Sequence, residues 1–206
     1  QCCQNQQNTD NIASKNRLLE TIPELFKQAI KAEENQQLEL AKSFYQQILE
    51  INPKHQDSLN NLSLILLALN EANSAEHLLK KLIKIEPSAK AYSNLGLALK
   101  NQQKNDEAII VFKKAIELNP GAIEAHCNLG GMYLSKYNYQ DAAVHFNKAL
   151  SMNPNHEMSL SNLAVVLMQT GYYKLAAQTF KKASLQQPFE TRYHQNLLLC
   201  LCFDKE

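Results

Sequence analysis

The chain has no tryptophan, few glycines and no surplus of charge of either sign. Its 21 Lys and Arg residues against 20 Asp and Glu residues give a formal net charge of +1. This balance argues against the strongly basic surface that nucleic acids or anionic membranes require. The longest apolar runs, Leu64–Leu69 and Leu197–Phe203, are far shorter than the roughly 20 residues of a transmembrane helix. With 45% hydrophobic residues among 206, a sizeable core is nevertheless expected.

Cysteine is also scarce, with five residues at Cys2, Cys3, Cys127, Cys200 and Cys202. An odd number without a paired framework argues against a disulfide-stapled domain. Their spacing does not match a structural zinc site, and no histidine cluster accompanies them. We therefore expect reduced thiols, a cytoplasmic location, and neither a metal nor a cofactor. A lipidated N-terminal cysteine is an alternative that the sequence leaves open.

A repeat of about 34 residues is what the sequence does contain. Three sets of residues recur with successive spacings of 34, 33, 34 and 34. The prolines are Pro53, Pro87, Pro120, Pro154 and Pro188. The alanines are Ala41, Ala75, Ala108, Ala142 and Ala176. The large apolar residues are Tyr45, Leu79, Phe112, Phe146 and Phe180. Self-similarity at a fixed period predicts a repeat architecture.

Each period has the pattern of two helices joined by a turn. In the third repeat, Tyr92, Leu95, Gly96 and Leu99 form an i, i+3, i+4, i+7 stripe, which is typical of an amphipathic helix. A second helix follows and is expected to end at Asn119-Pro120, because proline cannot continue a helix. One such pair cannot bury its apolar stripe alone, so stability must come from stacking neighbouring pairs. The predicted fold class is therefore all-α.

Residues 121–154 resemble the tetratricopeptide repeat most clearly. The matching residues are Leu129, Gly130, Tyr133, Ala142, Phe146, Ala149 and Pro154. The resemblance implies a right-handed superhelical solenoid of antiparallel helix pairs that binds protein or peptide partners. The predicted repeats are 22–55, 56–88, 89–122, 123–156 and 157–190, within a repeat domain at 22–190. Residues 1–21 are expected to be a disordered polar lead-in, and 191–206 a sixth first-helix or cap.

Catalytic motifs are missing from the sequence. It has neither a glycine-rich phosphate loop nor a nucleophile elbow, so no enzymatic activity is expected. The six histidines are scattered. We expect His126 and His194 to pack in the core, and His55 and His156 to be solvated.

An asparagine precedes a leucine in each of five first helices, at Asn61, Asn94, Asn128, Asn162 and Asn196. At about 100° per residue, Asn94 lies about 200° from Tyr92, opposite the stripe that packs on the second helix. A carboxamide offers one acceptor and two donors. It could therefore bond the N–H and C=O of an extended peptide together.

The resemblance implies that this face lines a concave groove. We expect a peptide-binding site made by the five asparagines with Leu64, Lys90, Leu97, Val165 and Leu199. The alternative is structural: the amides would bond neighbouring backbone or hold adjacent repeats in register. A carboxylate clamp is disfavoured, because Asn60, Ser93 and Cys127 stand where lysine is wanted.

The unbroken asparagine column and residues 191–206 also resemble the tetratricopeptide arm of O-GlcNAc transferase-like proteins. A substrate-recruiting arm of a larger glycosyltransferase is therefore one alternative function. A membrane-anchored assembly factor is another, which a lipobox before Cys2 or Cys3 would favour. Leu198 takes the small-residue position of Gly96 and Gly130, and the last helix is apolar on nearly every face. Self-association through this helix, or packing on another chain, is a further expectation.

Overall fold

The structure is a computed structural model that describes residues 19–187 and 190–203, and this part of the chain contains helices and no strands. The first helix, α1, covers residues 19–34. The other ten helices are α2 (Leu38–Ile51), α3 (Gln56–Ala68), α4 (Ala72–Ile85), α5 (Ala89–Asn101), α6 (Asn105–Leu118), α7 (Ile123–Ser135), α8 (Tyr139–Met152), α9 (Glu157–Gln169), α10 (Tyr173–Gln186) and α11 (Thr191–Phe203). The predicted all-α class is confirmed.

The predicted lead-in, residues 1–21, overlaps this structure at its end. Residues 19–21 are helical and belong to α1. Ile22 is buried one residue later, so the apolar stripe of α1 is already in use at its first described turn. The expectation of disorder for residues 1–18 concerns a segment outside the described residues.

The chain divides into two compact units, Gln1–Lys104 and Asn105–Glu206. The first unit contains α1 to α5, and the second contains α6 to α11. Within each unit, consecutive helices pack against each other, and first helices of neighbouring pairs also touch, as α3 does with α5 and α7 with α9.

Each first helix from α1 to α9 ends in the same tight turn. One residue per turn has a left-handed backbone, at Gln36, Asn70, Gln103, Tyr137 and Gly171. After α3, the amide of Glu71 donates to the carbonyl of Leu66 at 2.7 Å, and that of Asn70 donates to Leu67 at 3.1 Å. These two bonds define a Schellman motif, which satisfies the last carbonyls and turns the chain.

The Asn-Pro pairs end second helices as predicted. The helices α2, α6 and α8 stop at the residue before the asparagine. In each case the asparagine oxygen accepts from the backbone amide two residues later. The distances are 3.1 Å for Asn52 and Lys54, 2.9 Å for Asn119 and Gly121, and 3.1 Å for Asn153 and Asn155. This side-chain turn replaces the helical hydrogen bond that the following proline prevents.

The recurring alanines and large apolar residues form the core of both units. In the first unit Ala41, Tyr45, Ala75 and Leu79 are fully buried. The recurring alanines and phenylalanines of α6, α8 and α10 are equally buried in the second unit. A Cβ added at Gly130 would lie 2.7 Å from Cε1 of Phe146, closer than van der Waals contact allows. The small residue in α7 therefore lets the Phe146 ring approach the helix backbone.

Candidate functional site

The asparagines of the first unit are engaged in bonds within the protein. Asn94 on α5 is only 8% exposed, and its Nδ2 donates to Oδ1 of Asn60 on α3 at 3.0 Å. Asn60 is equally buried. The amide of Asn94 thus links the first helices of two successive pairs, which agrees with the structural alternative for this residue.

The hydrogen bonds continue from Asn60 toward the start of the unit. Nδ2 of Asn60 donates to Oδ1 of Asn61 at 2.9 Å, and Nδ2 of Asn61 donates to the hydroxyl of Tyr45 at 3.1 Å. The Tyr45 hydroxyl in turn donates to the Glu33 carboxylate. Burial, and then this bond to Glu33, raise the pKa of Tyr45, so the phenol keeps its proton. We call these five residues, Glu33, Tyr45, Asn60, Asn61 and Asn94, the amide chain.

The asparagines of the second unit have a different environment. Asn128 on α7, Asn162 on α9 and Asn196 on α11 are half-buried. Within residues 19–187 and 190–203, their side chains make no hydrogen bond. Their donors and acceptors therefore remain available to water or to a ligand.

Open space lies beside the first of these amides. Gly131 follows Asn128 by three residues on the same helix, and a Cβ added there would meet no atom within 4 Å. The corresponding residues are half-buried Val165 on α9 and Leu199 on α11, which is 44% exposed. Moving from α7 to α11, the surface beside the asparagines changes from a bare backbone to apolar side chains.

The other expected site residues lie in the first unit. Leu64 is 39% exposed, Leu97 is half-buried and Lys90 is exposed. They are on α3 and α5, the helices that carry Asn61 and Asn94. Lys90 and the two leucines are accessible to a ligand, whereas the amides of Asn61 and Asn94 are already hydrogen-bonded within the amide chain.

Glu76 on α4 is the most strongly held carboxylate of the first unit. It is 9% exposed and accepts from Lys80, from Lys104 at 3.0 Å and from Gln102 at 2.7 Å. These bonds, chiefly that from Lys80, lower the pKa of Glu76 to about 2. The lysines neutralise Glu76 and the donors occupy its oxygens, so this carboxylate links α4 to the turn after α5.

Two histidines meet in the second unit. Nε2 of His126 donates to the carbonyl of Pro120 at 3.1 Å, which leaves its Nδ1 to accept from Nδ1 of His145 at 3.0 Å. Tyr133 stacks on the His145 ring, with the ring centroids 5.6 Å apart. Burial lowers the pKa of both imidazoles, so the neutral pair is favoured. The predicted packing role of His126 agrees with this placement.

Three other histidine predictions are wrong. His194 is exposed because its neighbour Tyr193 occupies the buried position on α11. His55 and His156, which we expected to be solvated, are half-buried N-cap residues. Nδ1 of His55 accepts from the backbone of Ser58 at 3.2 Å, and Nδ1 of His156 bonds the Ser159 hydroxyl at 2.8 Å. At the start of α3 an imidazole nitrogen therefore replaces the usual capping oxygen.

Neither a metal centre nor a membrane span can be built from the described residues. They include no group of three or more His, Cys, Asp or Glu side chains arranged to hold a metal ion. None of their helices combines the length and the apolar character needed to cross a bilayer. Cys127 and Cys200 are buried and Cys202 is exposed, while Cys2 and Cys3 lie outside the described residues.

Comparisons with known proteins agree with this architecture. Tetratricopeptide repeat models match residues 32–99, 89–121 and 133–198. No match was found among curated proteins.

Several solved structures share the fold. TTC0263, a tetratricopeptide repeat protein of Thermus thermophilus, is 20% identical, with a TM-score of 0.73 over 88% of this chain and 99% of that one. The pilF protein of Pseudomonas aeruginosa is 22% identical, with a TM-score of 0.74 over 85% and 81%. MamA from Desulfovibrio magneticus is 25% identical, with a TM-score of 0.60 over 66% and 77%. The repeat models cover more than half of the residues, and the chain belongs to the tetratricopeptide repeat family.

Proposed function

We propose that this tetratricopeptide repeat chain is a protein-interaction scaffold that binds an extended peptide through the asparagines of its first helices. The family and its solved relatives support the scaffold role. The peptide-binding role is our proposal, and it assigns the main backbone contacts to Asn128, Asn162 and Asn196. The role requires no catalytic chemistry.

The difference between the asparagines of the two units carries this proposal. Asn94 is closed off by its bond to Asn60, whereas Asn128 is half-buried, makes no hydrogen bond to a described residue and stands beside the open backbone at Gly131. A peptide amide that replaces water at Asn128 would gain a two-point hydrogen bond. Partial burial would strengthen that bond because less water competes for it.

The spacing of the helices suits an extended ligand. The first helices α7 and α9 are in direct contact, which places helix axes about 10 Å apart. An extended chain advances roughly 3.3 Å per residue, so one repeat corresponds to about three peptide residues. We expect a ligand of about six to nine residues to reach from Asn128 to Asn196. Val165 and Leu199 would contact its apolar side chains.

The accessible groups of the first unit, taken by itself, suit side chains more than peptide backbone. Lys90 is exposed and Leu64 is accessible on the helices whose asparagines are already hydrogen-bonded. A segment bound to this unit could pair an acidic residue with Lys90, while Leu64 and Leu97 would favour apolar residues. The glycosyltransferase-arm hypothesis uses the same kind of capture, so the experiment below applies to both, whereas the anchored-assembly hypothesis would use the convex face or the apolar last helix.

A phage-displayed library of random nonapeptides, selected on the full chain, provides the probe. We expect the double variant Asn128→Ala/Asn162→Ala to bind selected synthetic peptides at least tenfold more weakly by fluorescence anisotropy. The matched control is Asn147→Ala, which removes an exposed amide from α8 in the same unit and should leave the affinity unchanged. Equal binding by the double variant and the parent would show that these amides do not hold the peptide.

A further inference from the structure

The last two helices form a groove whose lining includes none of the asparagines of the peptide proposal. Its volume is about 420 Å³, and its lining comprises Lys174, Ala177, Gln178, Lys181, Leu197 and Leu201. A second cavity of about 460 Å³ shares Lys174 and Gln178 with it and adds aromatic residues. There the rings of Tyr173 and Phe203 are stacked, with centroids 5.2 Å apart. Together the two cavities follow α10, and we call them the terminal groove.

The repeat shows what covers this position elsewhere in the chain. Leu197 and Leu201 on α11 correspond to Leu62 and Leu66 on α3. Those two leucines are only 3% and 4% exposed, and α3 packs against both α2 and α4. Leu201 is 47% exposed in the terminal groove. Among the described residues α11 packs chiefly against α10, so the leucines of α11 lack the second neighbouring helix that those of α3 have.

The length of the groove also fits a helix. Its lining on α10 runs from Tyr173 to Lys181. Nine residues of helix extend about 13 Å, or about two and a half turns. The second helices of the repeats have 14 residues, so the groove matches part of such a helix.

Charge distinguishes between the helices that could bind. Lys174 and Lys181 lie seven residues apart, hence on one face of α10, and both line the groove. Neither cavity has a carboxylate among its described lining residues. A helix with Asp or Glu along its flanks would pair with these lysines. A second copy related by two-fold symmetry would instead bring lysine toward lysine, which disfavours such a dimer.

Leu198 adds a steric requirement. In α7 the equivalent residue is Gly130, and the Phe146 ring lies against it. Leu198 puts a large side chain at the equivalent position of α11 and is 63% exposed. An incoming helix with a phenylalanine at that point would collide with the leucine, whereas alanine or glycine would fit.

We propose that the terminal groove is a docking site for an amphipathic helix of a partner protein. The partner helix spans about two and a half turns, carries a small residue opposite Leu198 with apolar residues on either side, and has carboxylates facing Lys174 and Lys181. None of the asparagines of the peptide proposal lines this site, and the site does not depend on them. Helix-in-groove binding of this kind rests on apolar burial, with charge setting the choice of partner.

Two fluorescent synthetic helices test the proposal on the full chain. Both carry one leucine stripe with alanine opposite Leu198, and they differ in having Glu or Lys along the flanks. We expect the Glu helix to bind and the Lys helix to bind at least tenfold more weakly. The double variant Lys174→Glu/Lys181→Glu should reverse this preference. The control Lys182→Glu changes a lysine outside the lining and should retain it.

Other outcomes would overturn the proposal. Failure of both helices to bind, or equal affinities that the lysine substitutions do not change, would show that the groove is not a docking site for an acidic helix. Sedimentation of the chain as a dimer that Leu201→Asp dissociates would identify a second copy as the occupant instead. Circular dichroism of each variant establishes that its helices remain folded.

Discussion

Replacing Asn94 with alanine should destabilise the first unit far more than the equivalent change destabilises the second. Asn94 and Asn60 are each 8% exposed and share a bond of 3.0 Å. Removing the donor leaves the Asn60 oxygen buried without this partner, which costs about 1–3 kcal/mol. Alanine is the better helix former by up to about 0.7 kcal/mol, so the net loss should be about 1–2 kcal/mol.

Asn128→Ala provides the matched comparison. The Asn128 side chain is half-buried and makes no hydrogen bond with a described residue, so the free energy of unfolding should change by less than about 0.5 kcal/mol. Urea unfolding followed by circular dichroism measures both variants. A double-mutant cycle with Asn60→Ala should give a coupling energy of about 0.5–3 kcal/mol for the Asn60–Asn94 pair. Equal stability losses in Asn94→Ala and Asn128→Ala, or no coupling, would refute the amide chain as a structural element.

Three further predictions concern stability. The pKa of Glu76 is lowered to about 2, so the stability that its carboxylate contributes should be present above its usual pKa of 4.5 and be lost as the pH falls toward 2. Glu76→Gln should therefore lower the free energy of unfolding at neutral pH by about 1–2 kcal/mol. It should also flatten the acidic part of a plot of that free energy against pH. Gln103→Gly should stabilise by about 0.5–1 kcal/mol in urea unfolding, because Gln103 has a φ of 61° that costs a side-chain-bearing residue about 1–2 kcal/mol. Gly130→Ala should lower the thermal midpoint, despite its better helix propensity, because its Cβ would lie 2.7 Å from the buried Phe146 ring.

The repeat made most of the fold predictable. Alanines, large apolar residues and prolines recur at one spacing, and each acts over a few residues, through close helix packing or helix termination. The start of α1 was harder to predict, because residues 19–21 do not resemble the residues one repeat further along the chain. Its described helix includes residues 19–21, ahead of the predicted boundary.

The site was only partly predictable because its environment depends on residues outside the asparagine column. Helical angles place Asn94 opposite its pairing stripe. They do not reveal that Asn60, 34 residues earlier in the chain, would accept a hydrogen bond from Asn94. From the sequence, Asn60 was noted only because it stands where a carboxylate clamp would need a lysine. The sequence held one signal for this bond, the second asparagine directly before Asn61. The next two repeats have Ser93 and Cys127 at the position of Asn60, so only this repeat offers two adjacent amides. The His126–His145 bond similarly joins two helices without a local motif.

Backbone N-methylation of a bound peptide tests the central claim most directly. Isothermal titration would compare a selected nonapeptide with analogues that carry one N-methyl group at successive positions, each of which loses a backbone N–H while keeping every side chain. If Asn128 and Asn162 bind peptide backbone, methylation at about every third position should weaken binding by tenfold or more. This loss should vanish in the Asn128→Ala/Asn162→Ala variant. Equal affinity of the methylated and unmethylated peptides for the parent chain would contradict the proposed role of the asparagines.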